Sequence, residues 1–156
     1  MTRSGYLSFD DILNRMAAWC AYRDRSTAET ERKLDEFNLL PEARDRILAR
    51  LIEEDFLDDL RFARAYARGK FYHNRWGKQK IIHGLRQHRL TDYYIRQALA
   101  EIPDADYEET IRKLIRRKAE SLVGLSEARK KQKISRYLYG KGYRYHEFKN
   151  ILDEEI

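Results

Sequence analysis

Apolar residues recur along this chain at helical spacing, in short runs set off by capping and turn residues. From Asp10 to about Arg25, Ile12, Leu13, Met16, Ala17, Trp19 and Cys20 return every three or four positions. Ser26-Thr-Ala-Glu29 has the form of a capping box, with the serine able to cap the amide three residues on and the glutamate to reach back. The helix it opens runs to about Phe37. Leu40-Pro41 opens a third, because proline suits the first helical turn, and its apolar face is Ala43, Ile47, Leu48, Leu51 and Ile52. Asp58-Asp59 is an N-cap signal for a helix reaching about Arg75, followed by one from roughly Gly77 to His88. Thr91-Asp92 caps the next, with Ile95, Ala98, Leu99 and Ile102 inward, and Pro103-Asp104 breaks the chain. Three more helices are expected near Tyr107–Leu122, Ser126–Tyr139 and Arg144–Glu154.

This order repeats. Leu34, Leu85 and Leu138 stand 51 and 53 residues apart, and Leu39, Leu90 and Tyr143 share those offsets. So do the pairs Ile47-Leu48, Ala98-Leu99 and Ile151-Leu152, and the residues Thr30, Ile81 and Ile134. The second helix of each cycle ends at Asn38, Arg89 or Gly142; Asn and Gly tolerate the left-handed closure, whereas Arg89 must strain or close the helix otherwise. The expected organisation is therefore all-α: a flexible tail over 1–8, then three-helix repeats over 9–57, 58–105 and 106–156. Units this small need neighbours, so they should stack into an elongated, curved solenoid.

Composition supports helices: charged residues are 37% of the 156, with seven Gly and two Pro. The net charge of +6 is uneven. Residues 1–57 hold nine Lys/Arg against twelve Asp/Glu, 58–105 ten against five, and 106–156 thirteen against nine. The basic character thus belongs to the last two repeats, and it suits nucleic acid, an acidic membrane or an acidic protein. The single cysteine, Cys20, excludes an internal disulfide, and its apolar surroundings mark it as a buried helix residue. No stretch is long and apolar enough to span a bilayer, and no signal-peptide pattern is present, so a cytoplasmic location is expected.

Arg61, Arg64, Arg68 and Arg75 lie within roughly 60° of one another on a helical projection, opposite Phe62, Ala63 and Tyr66. No acid occurs between Leu60 and Leu90, which favours a binding stripe over a merely solvated face. Glu29 of the first repeat becomes Lys80 in the second and Lys133 in the third, while Arg32, His83 and Arg136 align three residues later. Arg86 joins these candidates, as do Arg129, Lys130, Lys133 and Arg136 around the run Arg129-Lys-Lys-Gln-Lys133. Cations so spaced neutralise phosphates without reading sequence. Arg112, Lys113, Arg116 and Arg117 share a face with Glu109 and Glu120, so intrahelical ion pairs compete there. Tyr72, Trp76, Tyr139 and Tyr145 could stack on bases, although Trp76 reads better as a helix anchor.

Catalytic patterns are missing. Gly77-Lys78 lacks the strand and upstream glycine of a phosphate loop. His146-Glu147 lacks the second histidine of a zinc-protease helix, and His83 and His88 are five apart, wrong for two ligands on one face. Asp58, Asp59, Glu53 and Glu54 sit where helix ends explain them. No enzyme, cofactor or metal is expected.

At Leu51-Ile-Glu-Glu-Asp-Phe-Leu-Asp-Asp-Leu-Arg-Phe-Ala63 the chain resembles the RecX family, bacterial regulators of the RecA recombinase. Glu53, Glu54, Phe56, Leu57, Asp58, Asp59, Arg61, Phe62, Ala63 and Tyr66 fit that family's pattern. Trp76-Gly77, Lys80-Ile81 and Leu85 match its turn and second helix; Ser26, Glu29 and Leu34 match its first-repeat helix start. Asp55 and Arg89 stand where the family often has Gly, and Lys78 where it often has Pro. The resemblance implies three tandem three-helix repeats and binding to the RecA–DNA filament, with inhibition of its growth, ATP hydrolysis and strand exchange. It implies weak, non-specific contact with single- and double-stranded DNA, a monomer and no membrane. The rival reading from the residues is a general DNA- or RNA-binding helical protein of helix-turn-helix type.

Overall fold

A computed structural model describes residues 7–156. The first unit holds α1 (Phe9–Tyr22), α2 (Thr27–Leu34), a single 3-10 turn (Asp35–Phe37) and α3 (Pro41–Glu53). The second holds α4 (Asp59–Tyr72), α5 (Lys78–Gln87) and α6 (Asp92–Leu99), and the third α7 (Asp104–Glu120), α8 (Glu127–Gly140) and α9 (Tyr145–Glu155). No strand occurs among the described residues. The protein is an all-α helical repeat.

Local chemistry explains most boundaries. Ser26 forms the expected capping box with Glu29, and Thr91 and Ser126 accept from the amides of Tyr94 and Arg129. Residues 1–6 of the expected tail lie outside the described residues. Leu7 and Ser8 belong to the first unit instead: Leu7 packs on its core and Ser8 caps α1 through a second capping box with Asp11.

The repeat is also visible in backbone angles. Asn38, Arg89 and Gly142, which end the second helix of each unit, have φ of 53°, 59° and 102°. All three close the helix left-handed, so Arg89 bears a strain of about 1–2 kcal/mol that glycine would not. Asp55, where the family often has Gly, also has a positive φ of 65°.

The apolar interior is in two parts. Ile12, Leu13, Met16, Cys20, Leu34, Ile47, Leu51 and Leu57 form one core inside the first unit. A second, larger core runs without a break from Phe62 through Ile81, Leu85, Ile111 and Ile134 to Leu152, so the second and third units share it. Hydrogen bonds and ion pairs connect first to second and second to third units; among the described residues none connects first to third. The units therefore form a row.

Candidate filament- and DNA-binding surface

The two joints in this row are built differently. Between the first and second units the links are side-chain hydrogen bonds and ion pairs. Of the two acids Asp58 and Asp59, Asp58 caps its own helix by accepting from the Arg61 amide at 3.0 Å. Asp59 reaches across to the start of α2 and accepts from the Thr27 amide at 2.7 Å. Ser26 Oγ and His88 Nδ1 are hydrogen-bonded at 2.7 Å, and Arg89 pairs with Glu31 at 2.6 Å. Beside this joint Phe62, Tyr66 and His88 line a cleft of about 510 Å³ with Arg23, Asp24, Glu29, Ala65 and Lys70. The rings are in contact, with centroids 4.6 Å apart for Phe62 and His88. Burial pushes the His88 pKa below its usual value, and the cations Arg32 and Arg23 add to that, partly offset by Glu29 and Asp59.

Between the second and third units the contact is backbone on backbone. The Gly77 amide donates to the Lys141 carbonyl at 2.7 Å, and the Gln79 amide to the Gly142 carbonyl at 3.0 Å. A side chain on Gly77 would put its Cβ 2.3 Å from the Gly142 carbonyl carbon, which is why glycine stands there. Tyr107 bridges the units: its hydroxyl accepts from the Lys78 amide at 2.9 Å and donates to Glu147 at 3.1 Å. Tyr143 donates to the Arg75 carbonyl at 2.9 Å. Burial drives both phenols well above the ordinary tyrosine range.

The candidate cations divide along the same line. Arg61 pairs with Asp24 at 2.8 Å and with Asp55 at 3.4 Å, spanning the first joint. Its hydrogen bond to Asp24 is the main cause of its raised pKa. Arg68 pairs with Glu101 of the α6–α7 turn at 2.8 Å, and Arg64 approaches the same carboxylate at 3.7 Å. The stripe that lacks acids along the sequence thus has three brought to it by folding. Arg75 leaves the stripe altogether, since α4 ends at Tyr72 and Arg75 is left-handed with φ of 56°. Arg86 lies 3.9 Å from Asp92, both exposed. Arg75, Lys80, Arg129, Lys130, Lys133 and Arg136 have no carboxylate within 4.0 Å among the described residues. Arg129, Lys133 and Arg136 lie within roughly 60° on α8 and are exposed. Arg112 and Arg116, by contrast, both grip Glu155 at 2.7 Å and hold its carboxyl at about 2, well below the usual range.

Lys70 and Lys141, which carry no signal as a charge run along the sequence, complete the picture. Lys70 and Lys80 both place their ammonium groups 4.8 Å from the centre of the Trp76 ring. Lys141 donates to the Asn74 carbonyl at 3.2 Å. Trp76 itself is half-buried against the shared core, which makes it the helix anchor expected. The missed signal was aromatic–cation spacing around Trp76, which a search for charge runs does not weigh. No cluster of three or more potential metal ligands, and no helix long and apolar enough to cross a membrane, occurs among the described residues. Cys20 is buried, and burial raises its thiol pKa.

Known proteins align with this architecture. Residues 58–99 match the family model described as RecX, second three-helix domain, and residues 105–152 match RecX, third three-helix domain. A regulatory protein RecX of Prosthecochloris aestuarii is 30% identical over 142 residues, covering 91% of each chain. One from Clostridium acetobutylicum is 29% identical over 136 residues, which are 82% of this chain and 63% of that protein. The chain thus spans less than two-thirds of that longer relative. The crystal structure of RecX from Lactobacillus salivarius superposes with a TM-score of 0.87 at 24% identity, covering 94% of this chain and 96% of that one. With two of its three units matched in order and relatives aligned across nearly its whole length, the chain belongs to the RecX family of regulatory proteins.

Proposed function

We propose that this chain binds the filament that RecA forms on DNA and modulates it, mainly by inhibition, without catalytic chemistry of its own. The observation that supports this reading is the segregation of net positive charge onto the second and third units of a family regulator. Arg75, Lys80, Arg129, Lys130, Lys133 and Arg136 are unpaired there, while the first unit is acidic. A row of units suits a partner that is itself elongated, and cations without internal partners are free to meet phosphate or acidic side chains. Arg61, Arg64, Arg68 and Arg86 belong to the proposed surface too, but their acids must first be displaced or shared.

The test is a RecA ATPase assay on single-stranded DNA with this protein added. Inhibition that rises with protein concentration, and weakens in the variant Arg129→Glu, Lys133→Glu, Arg136→Glu with helicity unchanged, is the expected result. Full inhibition by that variant would remove the α8 face from the mechanism. Tight, sequence-specific binding to bare DNA without recombinase would favour the helix-turn-helix reading instead.

A further inference from the structure

The second joint gathers more positive charge than its fold requires. Lys70 comes from the last turn of α4, Arg75 and Trp76 from the α4–α5 loop, Lys80 from the first turn of α5, and Lys141 from the α8–α9 loop. None of the four cations has a carboxylate within 4.0 Å among the described residues. Glu147, which lies in the same joint, is turned to the Tyr107 hydroxyl at 3.1 Å and the Arg144 amide at 2.8 Å. The ammonium groups of Lys70 and Lys80 both lie over the Trp76 ring, each 4.8 Å from its centre. The approach of Gly142 to Lys80, where an added Cβ would come 2.5 Å from Lys80 Cβ, brings the loop of the third unit against α5. Lys141 is thereby delivered to the second unit's cations only because the two units dock.

Like charges held together without a counter-ion repel, and folding must tolerate that cost. Lys141 shows it: its pKa is lowered, first by burial and then by Lys80 and Arg75. An anion arriving at this joint removes the repulsion, so its binding is favoured by geometry already in place.

We propose that Lys70, Arg75, Lys80 and Lys141, spaced by Trp76, form a clamp for the phosphodiester backbone of nucleic acid. This clamp rests on the reading that the chain works on a DNA filament, and assigns the phosphate contact within it. Arg61, Arg64 and Arg68 hold internal carboxylates and lie outside the clamp. The contact is blind to sequence, since cations that meet phosphate oxygens rather than base edges carry no sequence information.

The experiment is fluorescence anisotropy of the full chain with a labelled oligothymidylate, and with a duplex of equal length, across a range of salt. The variant Lys70→Gln, Lys80→Gln, Lys141→Gln keeps the stems and removes three charges. The slope of log affinity against log salt is expected to become shallower by about 2 on the single strand, with roughly hundredfold weaker binding at low salt. Loss on either nucleic-acid form supports the clamp, and the form with the larger loss is the one it holds. A control, Lys113→Gln, Arg117→Gln, Lys149→Gln, removes three exposed charges elsewhere on the third unit; a slope change as large in the control overturns the assignment. So does an unchanged slope in the clamp variant, or no oligonucleotide binding by the parent chain. If circular dichroism shows the triple variant misfolded, Arg75→Gln alone is read in the same way, with a slope change of about 0.7 expected. The recombinase ATPase assay runs in parallel. Binding through the clamp without any effect on recombinase defeats the filament reading and leaves the clamp standing.

Discussion

The joint between the first and second units and the joint between the second and third are made of different material. The first is a set of side-chain bonds over which no apolar core continues: Asp59 to Thr27, Ser26 to His88, Arg61 to Asp24 and Arg89 to Glu31. The second is two glycines in backbone contact, two buried tyrosines and a core that runs straight through. Exposed ion pairs are worth only about 0–1 kcal/mol each, whereas close backbone packing over a shared core tolerates almost no change. The first joint is therefore expected to act as a hinge and the second as a weld. A regulator built this way can present its basic pair of units as one rigid body while the acidic unit adjusts to the partner.

Four changes would break or sharpen that contrast. Gly77→Ala should have the largest effect, because the added Cβ meets the Gly142 backbone at 2.3 Å and backbone cannot swing aside as a flexible side chain can. A loss of about 3 kcal/mol, read from urea unfolding, is expected. A loss below about 1 kcal/mol would mean the joint is softer than its geometry indicates. Next comes Tyr107→Phe, which leaves the Lys78 amide without its acceptor and should cost about 2 kcal/mol in the same measurement.

Arg61→Ala addresses the hinge. It removes contacts to both Asp24 and Asp55, yet stability should fall by less than about 1 kcal/mol, because the pairs are exposed. The change should appear instead in small-angle scattering, as a larger radius of gyration, and in faster proteolysis between the first two units. Equal stability loss from Arg61→Ala and Gly77→Ala would abolish the distinction between the joints.

The smallest effect is that of pH. His88 has a folded pKa below its unfolded value near 6.5, so the unfolded or opened state takes up the proton more readily. Its contribution is fully present above about pH 6.5 and is lost as pH falls through the lowered folded value. The protection factors of the α2 amides, which already allow for the intrinsic slowing of exchange in acid, should fall on acidification while those of Gly77 and Gln79 are unmoved by this group. His88→Gln should remove the pH dependence of the α2 amides.

Much of the architecture was legible because helices are decided by near neighbours. The Ser26–Glu29 box, the Pro41 start and the Thr91 cap involve residues within one turn, and all appear as read. The alignment of Asn38, Arg89 and Gly142 at the helix ends was legible from the offsets of 51 and 53, whereas the sequence left open how Arg89 closes its helix, which it does left-handed. The α4 end was misjudged by three residues, as the Arg75 carbonyl is held by Tyr143 from another unit. The charged stripe on α4 was read without its acids for the same reason. Asp24 and Asp55 come from the first unit, and Glu101 from the far end of the second.

The amino-acid order by itself determined the helices, their caps, the threefold repeat and the gradient of charge from acidic to basic units, since each depends on spacing along the chain. Only the tertiary structure decided which cations are neutralised and which are left free, and which groups make each joint. Those depend on groups that meet through space. Lys80 and Lys141 are 61 residues apart in sequence, and only the docking of two glycine-marked turns makes them neighbours.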